Sequence, residues 1–165
     1  LNSYLPQPDR RRWLLAATGL LLAGCGEKRP DGAFQVETDD GLFDSAKHKG
    51  EVIYLDFWAT WCPPCLQSFP WMSDMQRKYA DKKLRVVAVS IDIEQQLISE
   101  FINRVETDFT IGYDPKGALA NQFGVRAMPT AFVIDRKGRI ASTHAGFSED
   151  RKPEFEEKLV AVLDE

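Results

Sequence analysis

Two cysteines separated by two prolines, in Trp61-Cys62-Pro63-Pro64-Cys65, stand between an apolar run and a helical pattern. No other feature constrains the fold as much. Ahead of it, Val52-Ile53-Tyr54-Leu55-Asp56-Phe57-Trp58 is almost continuously apolar. Its length and β-branching predict a strand buried on both faces. Behind it, Leu66, Phe69, Met72, Met75 and Tyr79 recur at three- and four-residue steps. That spacing predicts a helix from Pro63 to about Tyr79, kinked at Pro70. A cysteine at the start of such a helix meets unpaired backbone N–H groups and the positive end of the helix dipole. Both favour the thiolate, which is the form that attacks a disulfide. The spacing brings the second sulfur within closing distance after one helical turn, so the pair can pass between dithiol and disulfide. Pro63 and Pro64 suit the first helical turn but withhold N–H donors that would stabilise a thiolate, which tunes the pair toward reduction. Two other readings stay open at this point. One is a structural zinc that would draw on His48 and His144, at no recognised spacing. The other is an inert disulfide, which would close too short a loop to stabilise much.

The rest of the chain alternates strand and helix. Ala33 to Glu37 reads as a short strand, and Asp39-Asp40-Gly41 and Lys47-His48-Lys49-Gly50 as turns or loops. Leu84 to Ile91 reads as a second buried strand. Ile93, Leu97, Ile98, Phe101, Ile102 and Val105 fall on one helical face. Phe109 to Ile111 reads as a short strand and Ala118 to Phe123 as a short helix. Residues 131–134 and 139–143 flank Asp135-Arg136-Lys137-Gly138 as a β-hairpin. Phe155, Leu159, Val162 and Leu163 mark a closing amphipathic helix. Parallel strands with helical crossovers, followed by an antiparallel hairpin, predict an α/β fold of three layers, α/β/α, around a mixed sheet. At 165 residues, 44% hydrophobic, the chain has material for one core. Its net charge of −4 excludes a basic nucleic-acid binder.

The N-terminal segment reads as an address. Arg10, Arg11 and Arg12 precede the apolar run from Trp13 to Ala23, which is too short to span a bilayer. Leu22-Ala23-Gly24-Cys25 resembles the lipobox of bacterial lipoproteins, in which the cysteine receives lipid and becomes the new N-terminus. Residues 1–24 are then a signal peptide, and 25–33 a lipidated tether. Cys25 accounts for the third of the three cysteines. Arg11-Arg12-Trp13-Leu14-Leu15 is loosely similar to a twin-arginine signal. Without residues 1–25 the chain holds 18 basic and 24 acidic side chains, so no basic patch would grip anionic lipid and lipid would have to hold it at the membrane.

Asp56-Phe57-Trp58-Ala59-Thr60-Trp61-Cys62-Pro63-Pro64-Cys65 resembles the active-site segment of thioredoxin-fold proteins, and more narrowly the membrane-tethered, TlpA-like thiol–disulfide oxidoreductases. The resemblance continues through residues 86–90, through Gly124-Val125-Arg126-Ala127-Met128-Pro129-Thr130 and the strand after it, and to Gly146-Phe147. It covers about 34–165, and implies a thioredoxin-like domain with an extra N-terminal strand. It implies Cys62 as the exposed nucleophile and Cys65 as the buried resolving cysteine. Met128 and Pro129 become a cis-proline loop that pairs with an extended substrate. Trp61 and Pro64 become substrate-contacting residues, with Trp61 packed beside the sulfurs as a shield. Asp56 becomes a buried acid that takes the proton of Cys65. Ser68 departs from the narrower family, many of whose members carry Glu there.

The implied activity is reduction of disulfides in exported proteins, in cytochrome c maturation or thiol repair outside the cytoplasm. The redox disulfide serves in place of any cofactor or metal. The implied partners are disulfide-containing protein substrates and a membrane thiol–disulfide electron donor, and the implied location is the periplasmic side of a bacterial membrane. Two alternatives keep the fold: an oxidant that installs disulfides, and a copper chaperone using sulfur and His144.

Overall fold

A computed structural model describes residues 31–105 and 107–165. Strand β3 (Val52–Trp58) is buried along its whole length and lies at the centre of the sheet. Its side chains alternate between two cores. Val52, Tyr54 and Trp58 face one, and Ile53, Leu55 and Phe57 the other. This explains why the run shows no polar period: a strand covered on both sides has no solvent face. Strand β4 (Leu84–Ser90) pairs with β3 in parallel, and β5 (Thr110–Tyr113) pairs with β4 in parallel. Strand β6 (Thr130–Ile134) lies antiparallel to β3, and β7 (Ile140–Ala145) closes a hairpin with β6.

Helix α1 (Pro63–Lys78) is 16 residues long and continues through Pro70. With α2 (Gln95–Ile102) and α4 (Lys152–Leu163) it covers the first core. Helix α3 (Ala118–Gln122) covers the second core, together with an N-terminal hairpin. The three-layer architecture with a mixed sheet is therefore as expected from the strand and helix order.

The differences are local. The N-terminal addition is two strands, β1 (Gln35–Thr38) and β2 (Gly41–Asp44), with the turn at Asp39-Asp40. Four residues with a single buried side chain, Phe43, carry too little periodicity to mark β2. β1 reaches the main sheet through β5, giving the order β2-β1-β5-β4-β3-β6-β7. Gly112 of β5 lies against Val36 and Val89, where an added Cβ would meet methyl carbons at 3.0 to 3.2 Å. Helix α2 begins at Gln95, two residues after Ile93, which is 83% exposed in the preceding loop rather than on the buried helical face.

Asp31 and Gly32 are tied to the β6–β7 hairpin. Asp31 Oδ1 accepts from the Ile140 N–H, and the Gly32 N–H donates to the Gly138 carbonyl. Asp31 and Gly32, within the segment read from sequence as tether, are thus fastened to the β6–β7 turn. That turn lies at the N-terminal end of β3, since Ile134 pairs with Ile53. Among the described residues no helix is long and apolar enough to cross a membrane.

Candidate active site

The opposite end of β3 carries the cysteines. Cys62 is the N-cap of α1 in extended backbone conformation, and Pro63 and Pro64 occupy the first helical positions. The Cys62 carbonyl accepts from the N–H groups of Cys65 and Leu66, which winds the first turn tightly around the pair. The sulfurs form a disulfide of 2.01 Å, with Cα atoms 5.3 Å apart. Cys62 is 5% exposed and Cys65 0%. Cys62 is thus less open than the expectation of an exposed nucleophile, although it remains the more exposed residue of the two. Trp61 is 65% exposed. It stands on the surface next to the pair as an apolar platform.

The loop that carries Trp61 is held from β4. Asp92 Oδ2 accepts from the Thr60 N–H at 2.8 Å, and Asp92 Oδ1 accepts from the Thr60 hydroxyl at 3.0 Å. Ser90 Oγ donates to the same carboxylate. Charged hydrogen bonds of this type are stronger than neutral ones and fix the loop's position. Thr60 and Asp92 were missed by sequence reasoning; the signal was an aspartate just past a buried strand, facing a threonine just past its neighbour.

The Met128–Pro129 peptide bond is cis. Thr130 pairs with Phe57, which brings Pro129 level with the end of β3 beside the cysteine loop. Met128 packs against the core that contains both cysteines. Pro64, the remaining candidate contact residue, is half-buried in the first turn of α1.

Asp56 lies on the α1 side of β3 and is 2% exposed. Its Oδ2 has no hydrogen-bond partner within the described protein. Burial raises its pKa well above the usual carboxylate range. It lines a cleft of about 170 Å³, part of it open to solvent, with Tyr54, Ser68, Pro129, Ala131, His144, Gly146 and Phe147. Ser68 therefore faces Asp56 from α1, and its hydroxyl donates to the Cys65 carbonyl at 2.7 Å. Cys25, the candidate lipidation residue, lies outside the described residues.

Other candidate ligands are engaged elsewhere. His144 Nε2 is 2.8 Å from the Tyr54 hydroxyl, and the imidazole stacks on Phe155. His48 stacks on Phe43 and pairs with Glu51 at the far end of β3. The structure does not bring His48 and His144 together with the cysteines as a zinc set. Among the described residues no cluster of three metal-ligating side chains occurs.

The fold and site define a thioredoxin-like α/β domain with a Cys-x-x-Cys pair at a helix N-terminus. Residues 25–159 match the Redoxin family model, and the chain belongs to that family. It is 32% identical over 114 residues to the thiol–disulfide oxidoreductase ResA of Bacillus thuringiensis subsp. konkukian, covering 69% of this chain. The match spans 65% of that relative's length. Among solved structures, a putative thiol:disulfide interchange protein DsbE from Chlorobium tepidum is 42% identical, with a TM-score of 0.77 over 79% of this chain and 93% of the other. The exposed lipoprotein thioredoxin Etrx1 of Streptococcus pneumoniae is 28% identical, with a TM-score of 0.68 over 78% of this chain and 98% of the other.

Proposed function

We propose that this chain is a thiol–disulfide oxidoreductase that reduces disulfides of exported proteins through Cys62 and Cys65. The observation that carries the reading is the disulfide at the N-terminus of α1, with Asp56 buried on the α1 side of β3. In the reduced enzyme the Cys62 thiolate attacks a substrate disulfide. A mixed disulfide forms, and the first substrate sulfur leaves as thiolate and takes a proton from water. Cys65 then gives its proton to the Asp56 carboxylate and attacks Cys62 Sγ. The Cys62–Cys65 bond forms and the second substrate sulfur leaves. Two electrons have passed to the substrate.

Met128 and Pro129 hold the substrate strand, with Trp61 and Pro64 as the apolar surface beside it. A membrane thiol–disulfide donor returns the electrons. Cys25 carries lipid that holds the domain on the outer side of a bacterial membrane, a reading supported by the lipobox and by likeness to a named lipoprotein thioredoxin. Cytochrome c maturation and thiol repair are the candidate settings, and the prolines of the pair favour the reducing direction over the oxidising one. The test is reduction of insulin disulfides by the dithiol form, together with the redox state of the pair trapped directly from cells. Turnover by wild type, none by Cys62→Ser, and a mainly dithiol pair in cells support the reading. A pair found fully oxidised in growing cells would assign the reverse direction.

A further inference from the structure

Two buried polar atoms of residues that line the cleft lack partners within the described protein, Asp56 Oδ2 and His144 Nδ1. Both side chains are more than nine-tenths buried, and both line the same cleft. Strand register explains why they share it. Ala88, Asp56, Ala131 and His144 form one row across β4, β3, β6 and β7. Two alanines flank the aspartate and leave space on either side, and His144 is the one other titratable side chain in those four positions.

The tautomer of His144 follows from counting donors. Tyr54 carries one O–H, and the imidazole Nε2 is its hydrogen-bond partner. If Tyr54 donates to Nε2, one group is left over, the Nδ1–H. If Nε2–H donates instead, two are left over, the phenolic hydrogen and the Nδ1 lone pair. Each buried unpaired group costs about 1–3 kcal/mol, so the first arrangement is favoured. Stacking on Phe155 of α4, with centroids 4.1 Å apart and planes 12° apart, holds the ring in that orientation.

We propose that Tyr54 and His144 are positioning residues for Asp56: Tyr54 fixes the imidazole with its Nδ1–H in the cleft, where that dipole stabilises the Asp56 carboxylate during the resolving step. The idea rests on the function proposed above for its context, but it concerns the aspartate itself. The interaction runs across the cleft from dipole to charge. Ala88 and Ala131 are apolar, and Ser68 and Tyr54 are neutral, so no cation faces Asp56 from α1, β3, β4 or β6. On the other side of His144 lie Arg151, Glu154 and Lys158, at the start of α4 and along it. With burial, the two cations keep the imidazole neutral, its pKa lowered to about 4. Asp56 thus faces a neutral donor rather than a positive charge.

The experiment is a titration of the Asp56 carboxyl carbon by NMR in reduced wild-type protein, His144→Phe and Tyr54→Phe. Phenylalanine at 144 keeps a flat ring against Phe155 and removes both nitrogens. The expected result is a midpoint raised by about one pH unit, tenfold in proton affinity, in His144→Phe, and a smaller rise in Tyr54→Phe. His144→Gln serves if the phenylalanine variant does not fold, and the same upward direction is expected. The pH profile of insulin reduction should move alkaline in parallel. An Asp56 midpoint unchanged or lowered in the folded variants would overturn the proposal. Because the carboxyl titration needs no turnover, it gives its answer even if the protein reduces no disulfide.

Discussion

Asp56 and His144 are opposite cases of burial on one sheet face. Asp56 binds its proton more tightly folded than unfolded, so its contribution to stability is present below about pH 4 and is lost as pH rises through its folded pKa. His144 binds its proton more weakly, with a folded value of about 4 against an ordinary 6.5. Its contribution is complete above pH 6.5 and declines by about 3 kcal/mol as pH falls toward 4. Denaturant unfolding across this range should therefore separate them. Asp56→Asn is expected to be more stable than wild type at pH 8, and His144→Phe to lose the decline between pH 6.5 and 4. The same Asp56→Asn variant should resolve mixed disulfides at least tenfold more slowly at neutral pH, measured by stopped-flow release of substrate thiol. An unchanged rate would remove the proton role. Sequence carried part of this. The acid six residues before Cys62 stood out because it interrupts an apolar run. Tyr54 did not, since a tyrosine in such a run reads as core, and only the register places its hydroxyl at His144.

The elements show where periodicity informs and where it fails. β3, β4 and α1 were legible because each buries most of its length, which forces continuous or three-to-four spacing of apolar residues. The apolar helical pattern runs past both ends of α2. Ile93 fits the helical pattern but sits in the loop tied down by Asp92, so tertiary hydrogen bonds override the pattern. The β1–β2 hairpin is only half legible because it is short, and it pairs with the main sheet through the edge of β5. That junction gives a test. Gly112→Val would crowd Val36 and Val89 and should cost about 2 kcal/mol in denaturant unfolding. Because the cysteines lie two strands away, across β4, insulin reduction in the folded variant should stay within about twofold of wild type. Loss of reduction with stability intact would mean that the hairpin contributes to the site.

For the molecule as a whole, the two ends of β3 have different jobs. One end carries the disulfide, Trp61 and the cis-proline loop. The other receives the chain at Asp31 beside the β6–β7 turn. A lipid at Cys25 would then hold the domain by the pole away from the cysteines, leaving the redox end turned toward partners. Cys25→Ser should move the protein from the membrane fraction to the soluble fraction while leaving insulin reduction unchanged. Retention in the membrane fraction would reject lipid at that residue. The fold class was legible in the sequence because strand and helix alternate. The closeness of Ser68, Asp56 and His144 was not, since it is made by three elements far apart in the chain.

The central claim is that Cys62 attacks and Cys65 resolves. Reduced Cys65→Ser protein mixed with insulin, quenched with acid and digested for mass spectrometry, tests it most directly. A stable insulin adduct on Cys62, absent from wild type because Cys65 releases it, is the expected result. No adduct on Cys62, or a wild-type protein that accumulates the same adduct, would contradict it.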